Sequence, residues 1–126
     1  MSIFGIGTDI VEIVRITTII SRVGDRLAQR ILSHAELSQY HLHLRPERLL
    51  AKSFAVKEAT VKAFGLGMRG GLAFNQIEIH HDRLGKPYIC FLQHAKIMAQ
   101  DCSISNVSVT LADERQYVVA MVIIEN

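Results

Sequence analysis

The 126-residue chain contains no tryptophan, two prolines and two cysteines. Cys90 and Cys102 lack a Cys-x-x-Cys spacing and lie in apolar stretches, so they predict buried, reduced thiols. Long hydrophobic runs are also missing, which argues against a membrane span. A secretory signal requires basic residues before its apolar stretch, and none precedes the first apolar stretch of this chain. We therefore expect a cytoplasmic protein that does not bind membranes.

An excess of one charge is absent as well, because 14 basic and 12 acidic residues leave a net charge of +2. Together with an aromatic content of 6%, this argues against nucleic-acid binding. The histidine pairs His41/His43 and His80/His81 lack a zinc spacing such as His-Glu-x-x-His and lie in polar segments. They are interpreted as surface residues.

The chain is long enough to bury a core, and no repeat or linker interrupts it, so one domain over residues 1–126 is expected. Alternating apolar residues predict strands over residues 3–9, 74–80, 88–92, 107–111 and 117–124. Helical spacing predicts helices over residues 14–31, with a break at Gly24-Asp25 as an alternative, 46–64 and 93–101. The order β-α-α-β-β-α-β-β predicts an α+β fold with a largely antiparallel sheet packed on helices.

The predicted helix 46–64 is apolar on nearly every side and nevertheless carries Lys57, Glu58 and Lys62. Such a helix is usually buried, so its charges need a partner, a metal or a ligand. Glu58 and Lys62 are four residues apart and share a face. The alternative is an ordinary exposed pair, which stabilises a helix by about 0.3–0.5 kcal/mol.

The first strand places Gly5, Gly7 and Asp9 on one face. Glycines in a strand are tolerated where another backbone or a ligand comes close, so this strand and the helix of Glu58 are expected to approach each other. Two carboxylates with open coordination positions suit Mg²⁺, whose shell is often completed by phosphate oxygens. The sequence therefore predicts a magnesium site and a phosphate-containing substrate. Lys62 would neutralise negative charge or act as a base, whereas Asp9 taken alone would be interpreted as a strand-end cap.

Two further patterns are weaker. Residues 65–70 match Gly-x-Gly-x-x-Gly but follow a helix, the reverse of a dinucleotide-binding loop, so they predict a flexible turn. A continuous helix would align four arginines in one stripe suited to an acidic partner, and these are Arg15, Arg22, Arg26 and Arg30. A solvated basic face, or a break at Gly24, is the alternative.

Three segments in order and at matching spacing resemble the motifs of the holo-acyl-carrier-protein synthase family. They are Gly-Thr-Asp-Ile-Val-Glu at 7–12, Phe-Ala-Val-Lys-Glu-Ala-x-x-Lys-Ala-Phe-Gly at 54–65, and Leu-Gly-Lys-Pro-Tyr at 84–88. The similarity covers nearly the whole chain, including Ala-Asp-Glu-Arg at 112–115 and the Val-Ile-Ile-Glu ending. The resemblance implies a Mg²⁺-dependent transfer of 4′-phosphopantetheine from coenzyme A to a serine of apo acyl carrier protein. Adenosine 3′,5′-bisphosphate is released, and the reaction supports fatty acid biosynthesis. The family also implies a homotrimer with active sites between subunits.

The resemblance assigns roles by position. Asp9 and Glu58 match metal ligands, and Glu58 and Lys62 match catalytic residues. The positions that match coenzyme A contacts are Arg45, Lys62, Gly65, Gly85, Lys86, Pro87 and Thr110. Arg15, Arg22 and Arg26 are expected to bind the carrier protein. For Lys86, a solvated lysine in a turn is the alternative from the residues alone.

Two positions depart from the family pattern. Many members have His where this chain has Leu111 and Arg where it has Ser53. One phosphate-side contact and one cationic contact are thus expected to be missing. Two rival interpretations stay open: a coenzyme A binder that has lost transfer, and a non-enzymatic module whose arginines bind nucleic acid.

Overall fold

The computed structural model describes residues 2–65, 67–68 and 71–126. The helices and strands in chain order are β1 (Ile3–Glu12), α1 (Ile13–Val23), α2 (Arg26–Ile31), α3 (His34–Leu42), α4 (Pro46–Phe64), β2 (Ile77–His81), β3 (Pro87–Phe91), α5 (Gln93–Asp101), β4 (Asn106–Asp113) and β5 (Tyr117–Glu125). A 3₁₀ turn at Phe74–Gln76 precedes β2. In the described ranges, no helix combines the length and the apolar character needed to cross a bilayer.

All strand pairs of the described chain are antiparallel. β5 lies between β1 and β4 in a three-stranded sheet, while β2 and β3 form a separate hairpin. Alternate side chains of β5, from Val118 to Ile124, are completely buried against α4, as the period-two pattern requires. The predicted α+β class, with antiparallel sheet packed on helices, is confirmed.

The glycines of β1 mark where the strand meets α4. A Cβ added at Gly5 would overlap the carbonyl oxygen of Ala63, and one added at Gly7 would overlap that of Ala59. The predicted close approach is therefore confirmed, and backbone rather than side chain fills the space. This contact brings Asp9 on β1 beside the charged face of α4.

Several boundaries differ from the sequence-based expectation. β1 continues past Asp9 to Glu12, because Val11 is buried and pairs with Val118, so Asp9 lies inside a strand and not at its end. Gly24, with φ 63°, separates α1 from α2, which matches the alternative of a broken first helix. Residues 74–76 form a 3₁₀ turn instead of the start of a strand.

Helix α3 was not predicted. It buries only Glu36 and Tyr40, so it lacks a clear apolar stripe in the sequence. Its first turn is fixed by a capping box, in which Ser33 and Glu36 each bond the other's backbone N–H. The cysteines also differ from expectation, since Cys90 and Cys102 are free but only half-buried.

Candidate active site

Asp9, Lys62 and the backbone of Thr8 form the centre of the site. The Lys62 ammonium donates hydrogen bonds to Asp9 Oδ1 and to the Thr8 carbonyl oxygen, both at 3.1 Å. Lys62 is half-exposed, whereas Asp9 is largely covered. The ion pair thus joins β1 to α4, and Lys62 bonds Asp9 instead of forming the ordinary helical pair with Glu58.

Glu58 lies beside Asp9 and lines the same pocket of about 300 Å³, with Glu12 and Arg15 in its wall. Burial raises the pKa of the Glu58 carboxyl, the negative charge of Asp9 raises it further, and Lys62 partly offsets both. Two carboxylates are therefore held close together at a cost to ionisation. A bound cation would remove that cost.

The donor set fits a hard divalent cation. Within the described ranges, no group of three or more His, Cys, Asp or Glu side chains is placed to hold a metal. Two carboxylates alone suit Mg²⁺, because this ion usually keeps several waters and binds substrate phosphates. Asp9 and Glu58 are the residues that would hold it.

A second pocket, of about 520 Å³, lies at the N-terminal end of α4 and is called the Arg45 pocket below. It is lined by Arg45, Arg48 and Lys52 and by two histidines, His43 and His81. Arg48 and Lys52 pair with Asp113, whereas Arg45 forms no ion pair among the described residues, so the pocket retains positive charge that favours an anionic ligand. Ser53 and Leu111, the two positions that depart from the family pattern, line this same pocket.

The β2–β3 turn brings Gly85, Lys86 and Pro87 towards that pocket. Asp82 Oδ1 accepts hydrogen bonds from the Leu84 and Lys86 backbone amides at 2.8 and 2.9 Å, and Gly85 has φ 87°. His81, which pairs with Pro87 at the end of the hairpin, lines the pocket. The exposed Lys86 lies on this turn, next to Pro87, and is not itself among the residues that line the pocket.

Gly65 and Thr110 lie elsewhere. Gly65 ends α4 in the left-handed conformation and donates its N–H to the carbonyls of Val61 and Lys62, as predicted for a C-cap. The rest of the 65–70 turn includes Leu66, Arg69 and Gly70, which lie outside the described residues. Thr110 is exposed on β4, on the opposite face from Leu111, so this chain alone does not bring it to the Arg45 pocket.

The four arginines do not form one helical stripe, because Gly24 and Asp25 separate α1 from α2. Arg15 lines the Asp9–Glu58 pocket, and Arg30 lines a cavity of about 230 Å³ that Glu58 also lines. Arg22 and Arg26 are exposed beside the helix break. None of the four pairs with an acidic residue in the part of the chain that the structure describes.

Sequence reasoning missed the role of Lys57. Its side chain is completely buried, and its ammonium donates to Glu36 Oε1 at 2.5 Å and to the Ile31 carbonyl oxygen at 2.8 Å. Burial lowers the pKa of Lys57, and the Glu36 carboxylate counteracts the shift. The apolar helix signalled that its charges needed partners, but Glu36 lies 21 residues earlier, in the helix that was not predicted.

Arg48 was also missed. It donates to the Asp113 carboxylate at 2.7 Å and to the Glu114 carbonyl oxygen at 2.6 Å, while Lys52 lies 3.6 Å from Asp113. The hydrogen bond from Arg48 lowers the pKa of Asp113, although burial opposes the shift. These contacts fix the β4–β5 turn against the start of α4. The start of α4 forms one wall of the Arg45 pocket.

Comparison with known proteins defines the class. The model of the 4′-phosphopantetheinyl transferase superfamily matches residues 5–122. A holo-[acyl-carrier-protein] synthase of Erwinia tasmaniensis is 61% identical over 126 residues, which is the full length of both chains. The chain therefore belongs to the 4′-phosphopantetheinyl transferase superfamily.

Solved structures of similar fold support the same classification. The crystal structure of the holo-[acyl-carrier-protein] synthase from Neisseria meningitidis has a TM-score of 0.94 and 41% identity, covering 99% of this chain and 100% of that one. The Helicobacter pylori holo-[acyl-carrier-protein] synthase in complex with coenzyme A has a TM-score of 0.82 and 28% identity, covering 95% and 99%. Within the superfamily, the chain groups with the holo-[acyl-carrier-protein] synthase enzymes, as its motifs predicted.

Proposed function

We propose that the protein transfers 4′-phosphopantetheine from coenzyme A to a serine of apo acyl carrier protein. The observation that carries this proposal is that Asp9 and Glu58 line one pocket together with Arg15, while Lys62 is hydrogen-bonded to Asp9 and lies close enough to Glu58 to affect its pKa. The carrier serine oxygen attacks the β-phosphorus of coenzyme A. The bond from that phosphorus to the bridging oxygen breaks, and adenosine 3′,5′-bisphosphate leaves.

Asp9 and Glu58 are the proposed ligands of Mg²⁺. When bound, this ion neutralises pyrophosphate charge and orients the reacting phosphorus. Lys62 adds a positive charge beside the same carboxylates and stabilises negative charge that develops on the phosphate oxygens. The serine proton passes to Glu58, to water, or to Lys62 in its neutral amine form.

The nucleotide of coenzyme A is proposed to bind at the basic end of α4. Arg45 and its neighbours supply cations for its phosphates, and Gly85, Lys86 and Pro87 are proposed to contact it from the β2–β3 turn, which follows the pocket residue His81. Since Ser53 and Leu111 contribute no charge there, Arg45 and Lys86 contribute a larger share of the nucleotide-binding energy. The acidic carrier protein is proposed to dock on Arg15, Arg22 and Arg26, whose guanidinium groups have no acidic partner among the described residues.

The proposed assembly is a cytoplasmic homotrimer that serves fatty acid biosynthesis. The face of the β1–β5–β4 sheet that points away from α4 is apolar and exposed in the single chain. Ile6 and Ile10 on β1 are 62% and 64% exposed, and Met121 on β5 is 45% exposed. Such a contiguous apolar face supports association between copies. Thr110 lies on this face, so it would reach coenzyme A bound at a neighbouring subunit.

Incubation with coenzyme A, Mg²⁺ and apo acyl carrier protein, followed by mass spectrometry of the carrier, tests the reaction. We expect the carrier to gain one phosphopantetheine group, and Asp9→Ala and Glu58→Ala to lose most of the activity while remaining folded. Near-normal turnover by either variant at limiting Mg²⁺ would contradict the shared metal site.

The second candidate is a coenzyme A binder without transferase activity, which the uncharged Ser53 and Leu111 in the basic pocket favour. It predicts a wild-type protein that binds coenzyme A but modifies no carrier, and activity that appears with Leu111→His. The transferase proposal predicts instead that Ser53→Arg lowers the KM for coenzyme A and leaves kcat nearly unchanged.

A further inference from the structure

Lys57 immediately precedes Glu58 on α4, yet its side chain points away from the pockets described above and is completely buried. It donates to the last carbonyl oxygen of α2, that of Ile31, at 2.8 Å. It also donates to Glu36 on α3 at 2.5 Å. One ammonium therefore joins three helices at the level of the proposed metal ligand.

The tether matters because α2 is short. It has six residues, its N-cap residue Asp25 makes no side-chain capping bond, and at its C-terminal end the Leu32 N–H bonds the Ala28 carbonyl oxygen. Short helices are marginal alone, and their last carbonyls need partners. Lys57 supplies such a partner from α4, so this bond adds to the packing of Ala28 and Ile31 in holding α2 against α4.

The partner of Lys57 is itself firmly held. Glu36 Oε1 accepts the Ser33 amide at 2.8 Å, and its Oε2 accepts the Ile79 amide of β2 at 2.9 Å. The Glu36 carboxylate is thus fixed by the first turn of α3 and by the β2–β3 hairpin. Lys57 therefore links the end of α2 to a carboxylate whose position is fixed by hydrogen bonds to two other elements.

Helix α2 carries two of the arginines of the basic surface. Arg26 is exposed, while Arg30 and Ile31 line the small cavity that also contains Glu58 and Phe54. A shift of α2 would move these guanidinium groups relative to Glu58. We propose that Lys57 is a positioning residue, which holds the arginines of α2 in register with Glu58 so that a docked carrier protein presents its serine to the metal site. This inference rests on the proposed function.

The test must separate positioning from stability. Lys57→Met removes the ammonium but leaves Glu36 as an uncompensated buried charge, which destabilises the fold strongly. The double variant Lys57→Met/Glu36→Gln removes that charge and keeps one carbonyl acceptor, which serves either the Ser33 or the Ile79 amide, while the bond to Ile31 is still absent. Val56→Ala is the matched control, because Val56 is a completely buried neighbour on α4 that takes no part in the network.

At a temperature at which all variants are folded, we expect the double variant to raise the KM for the carrier protein about tenfold, because misplacement of a docking group weakens productive encounter. The KM for coenzyme A should change less than about twofold, since neither substituted side chain lines the Arg45 pocket. Amide hydrogen exchange in α2 should be faster than in the wild type. Val56→Ala should change none of these values beyond its general loss of stability.

Two results would overturn the inference. One is an unchanged carrier KM and unchanged exchange in α2 for the double variant. The other is an equal rise in carrier KM for Val56→Ala, which would reduce Lys57 to a stabilising residue. A wild-type chain that modifies no carrier would instead refute the proposed function, and exchange in α2 would still decide whether Lys57 tethers that helix.

Discussion

At the scale of single residues, the site is built from charges that would oppose each other without a ligand. Glu58 carries the clearest sign of this, because burial and the neighbouring Asp9 both raise the pKa of its carboxyl. Lys62 offsets part of the cost through its bond to Asp9. A site with this unfavourable metal-free charge distribution is typical of cation binding.

The raised pKa of Glu58 predicts the effect of Glu58→Gln on stability. A carboxyl that is harder to ionise in the folded state costs stability above the ordinary unfolded pKa of about 4.3, and the cost grows until pH exceeds the folded pKa. Without metal, Glu58→Gln should therefore melt at a higher temperature than the wild type at pH 7. The difference should shrink as the pH falls through the unfolded pKa and vanish well below it, where Glu58 is protonated in both the folded and the unfolded state.

Addition of Mg²⁺ should reverse that order. The wild type gains stability from binding, whereas the variant has lost a ligand. Thermal unfolding with and without Mg²⁺ measures both effects, and Glu12→Gln, which alters another carboxylate in the wall of the same pocket, serves as control. Equal stabilisation of Glu58→Gln and wild type by Mg²⁺ would place the metal elsewhere.

At the scale of elements, the contact between β1 and α4 decides whether the site exists. Gly7 faces the Ala59 carbonyl, and the overlap that a Cβ would cause involves backbone, which no side-chain change relieves. Gly7→Ala should therefore lower the free energy of unfolding by about 3 kcal/mol or more, the upper part of the range for overpacked cores. Urea unfolding measures the loss.

Gly65→Ala provides the comparison for that variant. Gly65 also has a special conformation, with φ 78°, but no atom outside its neighbours lies within 4 Å of an added Cβ. Its substitution should cost only about 1–2 kcal/mol from backbone strain. If Gly7→Ala costs no more than Gly65→Ala, the strand and helix are not held as close as the structure indicates.

Helices α1 and α2 carry the proposed carrier surface on either side of the break at Gly24. Arg22→Glu with Arg26→Glu should reduce kcat/KM for the carrier protein by about tenfold or more at low salt, because complementary charge mainly sets the encounter rate. High salt should reduce the difference, and the KM for coenzyme A should stay unchanged. Arg15 is less suitable for this test because it also lines the metal pocket.

Steady-state kinetics at two salt concentrations measure this effect. Lys96→Glu, a charge reversal on the exposed surface of α5, is the control and should leave carrier use unaltered. Equal losses for carrier and coenzyme A in the arginine variant would show that these side chains serve another part of the reaction.

At the scale of the whole molecule, the outer face of the three-stranded sheet is the feature that the single chain leaves unexplained. Met121→Glu would place a charge in the middle of that face and should convert a trimer to monomers, because a buried unpaired charge is costly. Transferase activity should fall with the trimer, since the proposed sites lie between subunits.

Sedimentation equilibrium measures the assembly state. Ile97→Glu, on α5, introduces the same charge at a 52%-exposed apolar position away from the sheet and should leave the assembly intact. A wild-type protein that is monomeric at micromolar concentration would contradict the homotrimer.

The local sequence pattern by itself determined most of the strands, the long helix and part of the site. The alternation of β5, the glycines of β1 and the apolar character of α4 are set by neighbours within a few residues, so the sequence alone predicted the strands, the long helix and the approach of Asp9 to Glu58. The sequence motifs also identified the family. These features follow from periodicity and from the absence of a Cβ at two positions, which act before any distant contact forms.

Only the tertiary structure decided the rest. Helix α3 has little apolar periodicity, and the partner of Lys57 is Glu36 on that helix, so neither could be predicted from local pattern. The choice of Asp9 over Glu58 as the bonded partner of Lys62 depends on how β1 packs across α4. Likewise, Ser53 and Leu111 meet in one pocket because α4 and β4 pack together. Contacts between residues far apart in the chain depend on how whole elements pack, and periodicity carries no information about that.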